Sequence, residues 1–212
     1  MSGDYSRKRF NPEKHYQGVL RQQGRVDLDA DWNEYVDLQD RRWRAETIDV
    51  VGRCGVPAET PEGFKIDVSG GELTLGQGRM YVDGYVAENH GTAPALDATI
   101  EEQYGTAALS VKDQPFGGPV TVPPQVRSLV YLDVWRREVT YLQAPDLIEP
   151  AVNVDTTSRN QTAWQVRILS GIPADVNCET PLEDIPGWPT GNRLSSARLT
   201  TTTVAVTTDP DP

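Results

Sequence analysis

The spacing of apolar residues changes once along this chain, and that change divides it. From Leu28 to Val50 they recur at intervals near 3.6: Leu28, Trp32, Tyr35, Val36, Trp43 and Val50. From Phe64 onward they alternate, as in Phe64, Ile66 and Val68, then Leu73 and Leu75. The first period puts side chains on one face of a helix, and the second puts them on one face of a strand. One long helix followed by a β-rich body is therefore expected. The fold class read from this pattern is α+β, mainly β, with an antiparallel sandwich or barrel-like domain.

The helix is predicted over residues 31–51, a rod of roughly 30 Å. Asp31 and Glu34 have capping-box spacing, with Asp31 as the expected N-cap. Gly52 and Gly55 end the helix. Trp32 and Trp43 stand eleven residues apart, three turns, and so share a face. This stripe is expected to pack on the β domain first, or against symmetry mates second.

Ahead of the helix lies a polar arm, residues 1–27, with Arg7, Lys8, Arg9, Lys14, Arg21 and Arg25. It is too poor in apolar residues to pack on itself, so it is expected to lie along another surface. Salt bridges from Arg21 or Arg25 to the acids before the helix are one way of fixing it. Three segments are expected: arm plus helix over 1–55, an antiparallel β domain over 56–172, and an extension rich in Pro, Gly and Thr over 173–212. Residues 56–63 read as a linker. Ser69, Gly70 and Gly71 mark a hairpin turn, and Asp83 with Gly84 a second turn or bulge. Residues 97–127 read as an irregular loop, and 200–208 as an extended strand. Six to eight strands are expected.

The 18 glycines and 16 prolines suit a turn-rich fold. The net charge of −11 disfavours nucleic acid and anionic membrane surfaces as partners. No run approaches the length of a spanning helix, so direct membrane insertion is not expected. The polar first ten residues lack the apolar core of a secretion signal, which points to synthesis and assembly in the cytoplasm. Cys54 and Cys178 form neither a metal motif nor a disulfide framework.

No catalytic motif emerges. The two histidines, His15 and His90, are not in a zinc-binding pattern. There is no Gly-x-Ser-x-Gly, and Gly76 and Gly78 lack the rest of a phosphate-binding fingerprint. The acidic run from Asp27 fails as a calcium loop, with Trp32 at position six and Leu38 at position twelve. No enzyme activity, cofactor or metal is expected. Of the five tryptophans, Trp135 and Trp164 sit in apolar strands. Trp188, between Gly187 and Pro189, is the candidate exposed aromatic anchor.

Several runs carry a resemblance. They are Gly-Asp-Tyr-Ser-Arg at 3–7, His-Tyr-Gln-Gly-Val at 15–19 and Gln-Gln-Gly-Arg-Val-Asp-Leu-Asp-Ala-Asp-Trp-Asn-Glu at 22–34. Tyr-Leu-Asp-Val-Trp at 131–135, Asp-Thr-Thr-Ser-Arg at 155–159 and Trp-Gln-Val-Arg at 164–167 follow in order. Over residues 1–170 the chain resembles an uncharacterised bacterial domain family associated with phage-tail-like contractile injection systems and some β-helical tail proteins. Arg136 stands where the family pattern has a glutamate.

The resemblance implies a context and transfers no catalytic residue. It implies a structural subunit, in the baseplate or around the spike, that meets other tail or baseplate subunits. A homo-oligomer, a trimer first, or a symmetric ring is expected. The expected attachment surface comprises Tyr5, Arg7, His15, Tyr16, Gly24, Arg25, Asp29, Asp31, Trp32, Asn33, Glu34 and Trp43. The alternative is the head module of a tail fibre or tailspike-like protein that binds surface polysaccharide through Trp188.

Overall fold

The computed structural model describes residues 3–69, 72–92, 104, 107–117, 120, 123, 125–177 and 179–189. The turn at Gly70 and Gly71, Cys178, residues 190–212 with the strand expected at 200–208, and parts of the 97–127 loop lie outside these residues.

Among the described residues there are one α-helix and ten strands in antiparallel sheets, with no closed barrel. Helix α1 spans Asp29–Val51 and starts two residues earlier than the pattern predicts. The strands are β1 (Cys54–Gly55), β2 (Ile66–Ser69), β3 (Glu72–Leu75), β4 (Gly78–Val82), β5 (Tyr85–Asn89), β6 (Leu109–Ser110), β7 (Ser128–Val139), β8 (Ile148–Glu149), β9 (Val154–Asp155) and β10 (Arg159–Ser170). They form the sheets β1-β4-β5, β2-β3-β6, β7-β10 and β8-β9.

Local chemistry explains the tight connections. β2 and β3 pair from Ile66↔Leu75 to Ser69↔Glu72, the register that a two-residue connection dictates. β4 turns into β5 through Asp83 and Gly84, with φ of 49° and 78°. Two successive positive φ values match the twist of a two-residue hairpin, and Gly84 takes its value without steric cost.

The chain divides into two compact units. Unit 1 comprises Met1–Gly55, Met80–Ala87 and Val134–Ala163, and unit 2 comprises Val56–Arg79, Glu88–Asp133 and Trp164–Pro212. Strands β4, β5, β7 and β10 each contribute residues to both.

Unit 2 has an aromatic and aliphatic core that includes Phe64, Leu73, Leu75, Leu109, Val111, Val130, Trp164 and Val166. Phe64 and Trp164 meet edge to face with centroids 4.9 Å apart, a favoured geometry for aromatic quadrupoles. The Trp164 indole N–H donates to the Glu88 carbonyl at 2.7 Å, so its polar atom is satisfied. The segment expected to be a linker is not one. Thr60 is buried, and its hydroxyl accepts from the Arg79 N–H at 3.1 Å, so turns at 58–64 are tied into the unit.

Unit 1 buries mostly small or slender side chains: Ala30, Leu38, Met80, Ala87, Val139 and Ala163. Polar clamps supplement this thin core. Arg44 pairs with Asp83 at 3.2 Å and lies over the Tyr85 ring, 4.1 Å from its centroid. Arg136 pairs with Asp40 at 2.6 Å and approaches the same ring at 5.9 Å. The position where the family pattern has a glutamate thus carries a cation that reaches α1.

Candidate assembly interface

The arm lies along its own helix. Tyr5 donates its hydroxyl to Glu138 and is hydrogen-bonded to Ser158, next to β7 and β10. The Ser6 backbone N–H and hydroxyl both donate to the Asp29 carboxylate, at 2.8 and 2.6 Å. Arg9 pairs with Asp31. Asn11 caps a short 3-10 turn, Pro12–Lys14, and His15 ends it in the left-handed region at φ 54°. Gln39 then donates to the Gln17 carbonyl at 3.5 Å.

The arm therefore runs beside α1 from its first turn to Gln39, about 15 Å at 1.5 Å per residue. It must return over the next eleven residues to enter the helix at Asp29. Gly24, at φ 70°, lies in a turn closed by the Arg25 N–H on the Gln22 carbonyl at 3.3 Å. Arg21 pairs with Asp27 at 3.3 Å, as one of the sequence expectations had it.

These contacts replace the predicted cap. Leu28 is the N-cap and makes no side-chain capping bond. Asp31 sits inside the first turn, and its carboxylate is taken by Arg9, while Asp29 serves Ser6. Both acids still lie where the helix dipole favours negative charge. The hydrogen bonds from Ser6 hold the Asp29 carboxyl below the usual carboxylate range. The bond to Glu138 pushes the Tyr5 hydroxyl above the ordinary tyrosine value.

The aromatic stripe faces outward, which corrects the expectation that it packs on the chain's own β domain. Ala30 and Leu38 are the buried residues of α1. On the opposite side Trp32 is 61%, Trp43 66% and Val50 81% exposed, and Tyr35 and Leu28 are exposed too. Trp32 and Tyr35 rest against each other with centroids 6.1 Å apart. The returning arm adds Leu20, 90% exposed, and Val26, 84% exposed. Together with Trp32 and Tyr35 they line an open groove of about 920 Å³.

Each fully covered side chain of this size contributes roughly 1.5–3 kcal/mol, so the free chain forgoes several such contributions along one face. Isolated exposed apolar residues need no explanation, but one helix face that carries five of them, interrupted by Gln39 where the arm crosses, does.

Of the other expected interface residues, Arg7, Tyr16 and Arg25 are exposed, and Lys14 lies over the Tyr16 ring at 5.7 Å. Asn33 and Glu34 are half-buried, on the side away from the stripe. The expectation of an exposed anchor at Trp188 is corrected. It is half-buried against the cluster of Ile172, Val176 and Ile185 and tilts onto Tyr131 at 4.8 Å. Neither Leu20 nor Val26 was part of the expected surface: Leu20 ends a short apolar patch at residues 16–20 and Val26 stands alone in a polar segment, and neither gives a periodic signal.

Among the described residues no group of three or more His, Cys, Asp or Glu is placed to hold a metal ion. No helix among them is long and apolar enough to cross a membrane. A second cleft, in unit 2 and about 450 Å³, includes Lys65, which is paired with Glu62.

The fold and this surface define a mainly-β protein with a clasped N-terminal arm and an open helix face. The chain belongs to DUF6519, a family of unknown function, which it matches over residues 1–185. No curated protein and no solved structure matches it.

Proposed function

We propose that this chain is a non-enzymatic structural subunit of a contractile injection system or phage-like tail. Its place is the baseplate or the surroundings of the spike, and its arm and helix mediate assembly with tail subunits and with copies of itself. It is made in the bacterial cytoplasm and ends in the particle. The observation that carries the assembly role is the solvent-facing strip of Leu28, Trp32, Tyr35, Trp43 and Val50 beside the arm's groove. A strip of this kind gains its stabilisation only when another surface covers it. The particle context rests on the resemblance of the motif at 22–34 and the runs that follow it. The polysaccharide reading is not carried forward, since Trp188 is packed rather than presented.

The test is quantitative proteomics of particles pelleted from producing cells. Co-sedimentation at a fixed ratio to sheath, tube and spike proteins is expected. Trp32→Ala and Trp43→Ala together should leave the chain folded but deplete it from particles. A chain that stays in the soluble fraction while particles pellet would overturn the proposal.

A further inference from the structure

We propose that the open face of α1 is the docking surface for a second copy of this chain, packed antiparallel about a two-fold axis near the helix midpoint. The inference deepens the assembly reading by naming one occupant of its surface, and it rests on that reading only for its place in a particle.

The argument starts from a repeat within the helix. Asp31 and Trp32 are adjacent, and Arg42 and Trp43 are adjacent eleven residues later. Eleven residues are three turns, so both pairs lie on the same column of the helix, with the charge on the same flank of the tryptophan. The charges have opposite sign. Residues 29–40 carry five carboxylates (Asp29, Asp31, Glu34, Asp37 and Asp40) and no basic residue, after which Arg41, Arg42 and Arg44 follow, with Glu46 and Asp49 beyond them.

Two copies packed antiparallel set each Trp32 against the other's Trp43. The same register sets each Arg42 beside the other's Asp31. That carboxylate already holds Arg9 of its own chain and has further lone pairs to accept from the open side. Arg42 is exposed and forms no ion pair among the described residues, so it is available for this contact.

Parallel packing, as in a three-fold bundle, would leave Asp31 and Arg42 of neighbouring copies eleven residues apart along the axis, about 16 Å, and so unable to pair. Only the antiparallel arrangement brings the two opposite charges together, so the charge column selects the two-fold contact over the trimer expected from sequence. An isologous two-fold contact is also the commonest closed assembly. The same register brings Val50 of one copy toward the groove of the other, where Leu20 and Val26 stand exposed.

Sedimentation equilibrium of the full chain tests the proposal, with Trp43→Ala and Arg42→Glu as variants. Both positions are exposed, and unchanged far-UV circular dichroism checks that the fold survives. The expected result is a dimer whose dissociation constant rises more than about tenfold in each variant. A monomer, a trimer, or a dimer indifferent to both substitutions would overturn it.

Orientation is read by disulfide trapping in a chain with Cys54→Ser and Cys178→Ser. Leu28→Cys and Glu46→Cys are nearly symmetric about the point midway between Trp32 and Trp43 and lie about 27 Å apart along the helix. Mixing the two chains should trap a heterotypic pair, whereas homotypic pairs alone would mean parallel packing and overturn the proposal. A monomeric chain that still enters particles would sink the pairing and leave the assembly reading standing.

Discussion

Ser6 and Asp29 form a two-point clasp: the serine N–H meets one carboxylate oxygen and its hydroxyl the other, at 2.8 and 2.6 Å. The arm is thereby tied to the first residue of α1. Both bonds favour the ionised acid, so its carboxyl titrates below the usual range. Stabilisation from this clasp is present above the ordinary aspartate value of about 4 and is lost as pH falls through the lowered native one. The Ser6 amide resonance should move with a single midpoint below that of an unfolded aspartate. A midpoint at or above the ordinary value would show that the clasp does not form in solution.

Two tryptophans should respond in opposite ways to the same substitution. Trp164 is 4% exposed, packed on Phe64 and hydrogen-bonded through its ring nitrogen. Trp164→Ala should cost about 3–5 kcal/mol in denaturant unfolding. Trp32→Ala should cost the monomeric chain less than about 1 kcal/mol, because its ring already faces water. Equal losses at the two sites would contradict the outward-facing stripe.

The Asp83 and Gly84 turn leaves no room for a side chain. Gly84 has φ 78°, and a Cβ there would sit 2.8 Å from the Arg44 carbonyl oxygen. Gly84→Ala should destabilise by about 1–3 kcal/mol through backbone strain and this close approach. A thermal melt within a degree of the parent would refute the tight packing of the turn on α1.

Cys54 is half-buried at the start of β1, and burial pushes its thiol above the ordinary value. The reactive form is the thiolate, so alkylation by iodoacetamide at pH 7.5 should run slower than for a free cysteine. Denaturant should restore the free rate. Peptide mass spectrometry separates this site from Cys178, and a rate equal to that of free cysteine would count against the burial.

Features governed by neighbours in sequence were legible in advance. The 3.6-residue period located α1 to within two residues, and the alternation with Gly located the β2 and β3 hairpin. Asp83 and Gly84 announced their turn because few other pairs tolerate positive φ twice. What stayed hidden depended on distant partners. Asp31 has the local signature of a cap, but Arg9 claims its carboxylate and Leu28 takes the cap position. The stripe is a clear apolar face, yet the rule that such faces turn inward assumes that a chain satisfies itself. The pairings of β1 with β4 and β3 with β6 join segments separated by loops, and nothing local encodes them. Trp188 lies between Gly and Pro, a context that suggests exposure, but the cluster of Ile172, Val176 and Ile185 shelters it.

The polar clamps of unit 1 also set an order of events on the ribosome. Asp40 must wait for Arg136, which is made 96 residues later, and Tyr5 must wait 133 residues for Glu138. At about 5–20 residues per second, the helix leaves the exit tunnel several seconds before the groups that hold it exist. During that interval a nascent chain offers a bare aromatic strip, with its cationic arm held only by the contacts of Ser6, Arg9 and Gln17 to α1. Neighbouring ribosomes on one message would bring such strips together before either body had closed. Synthesis at low polysome density, or capture of the strip by a chaperone, would then decide how much of the protein reaches its folded form.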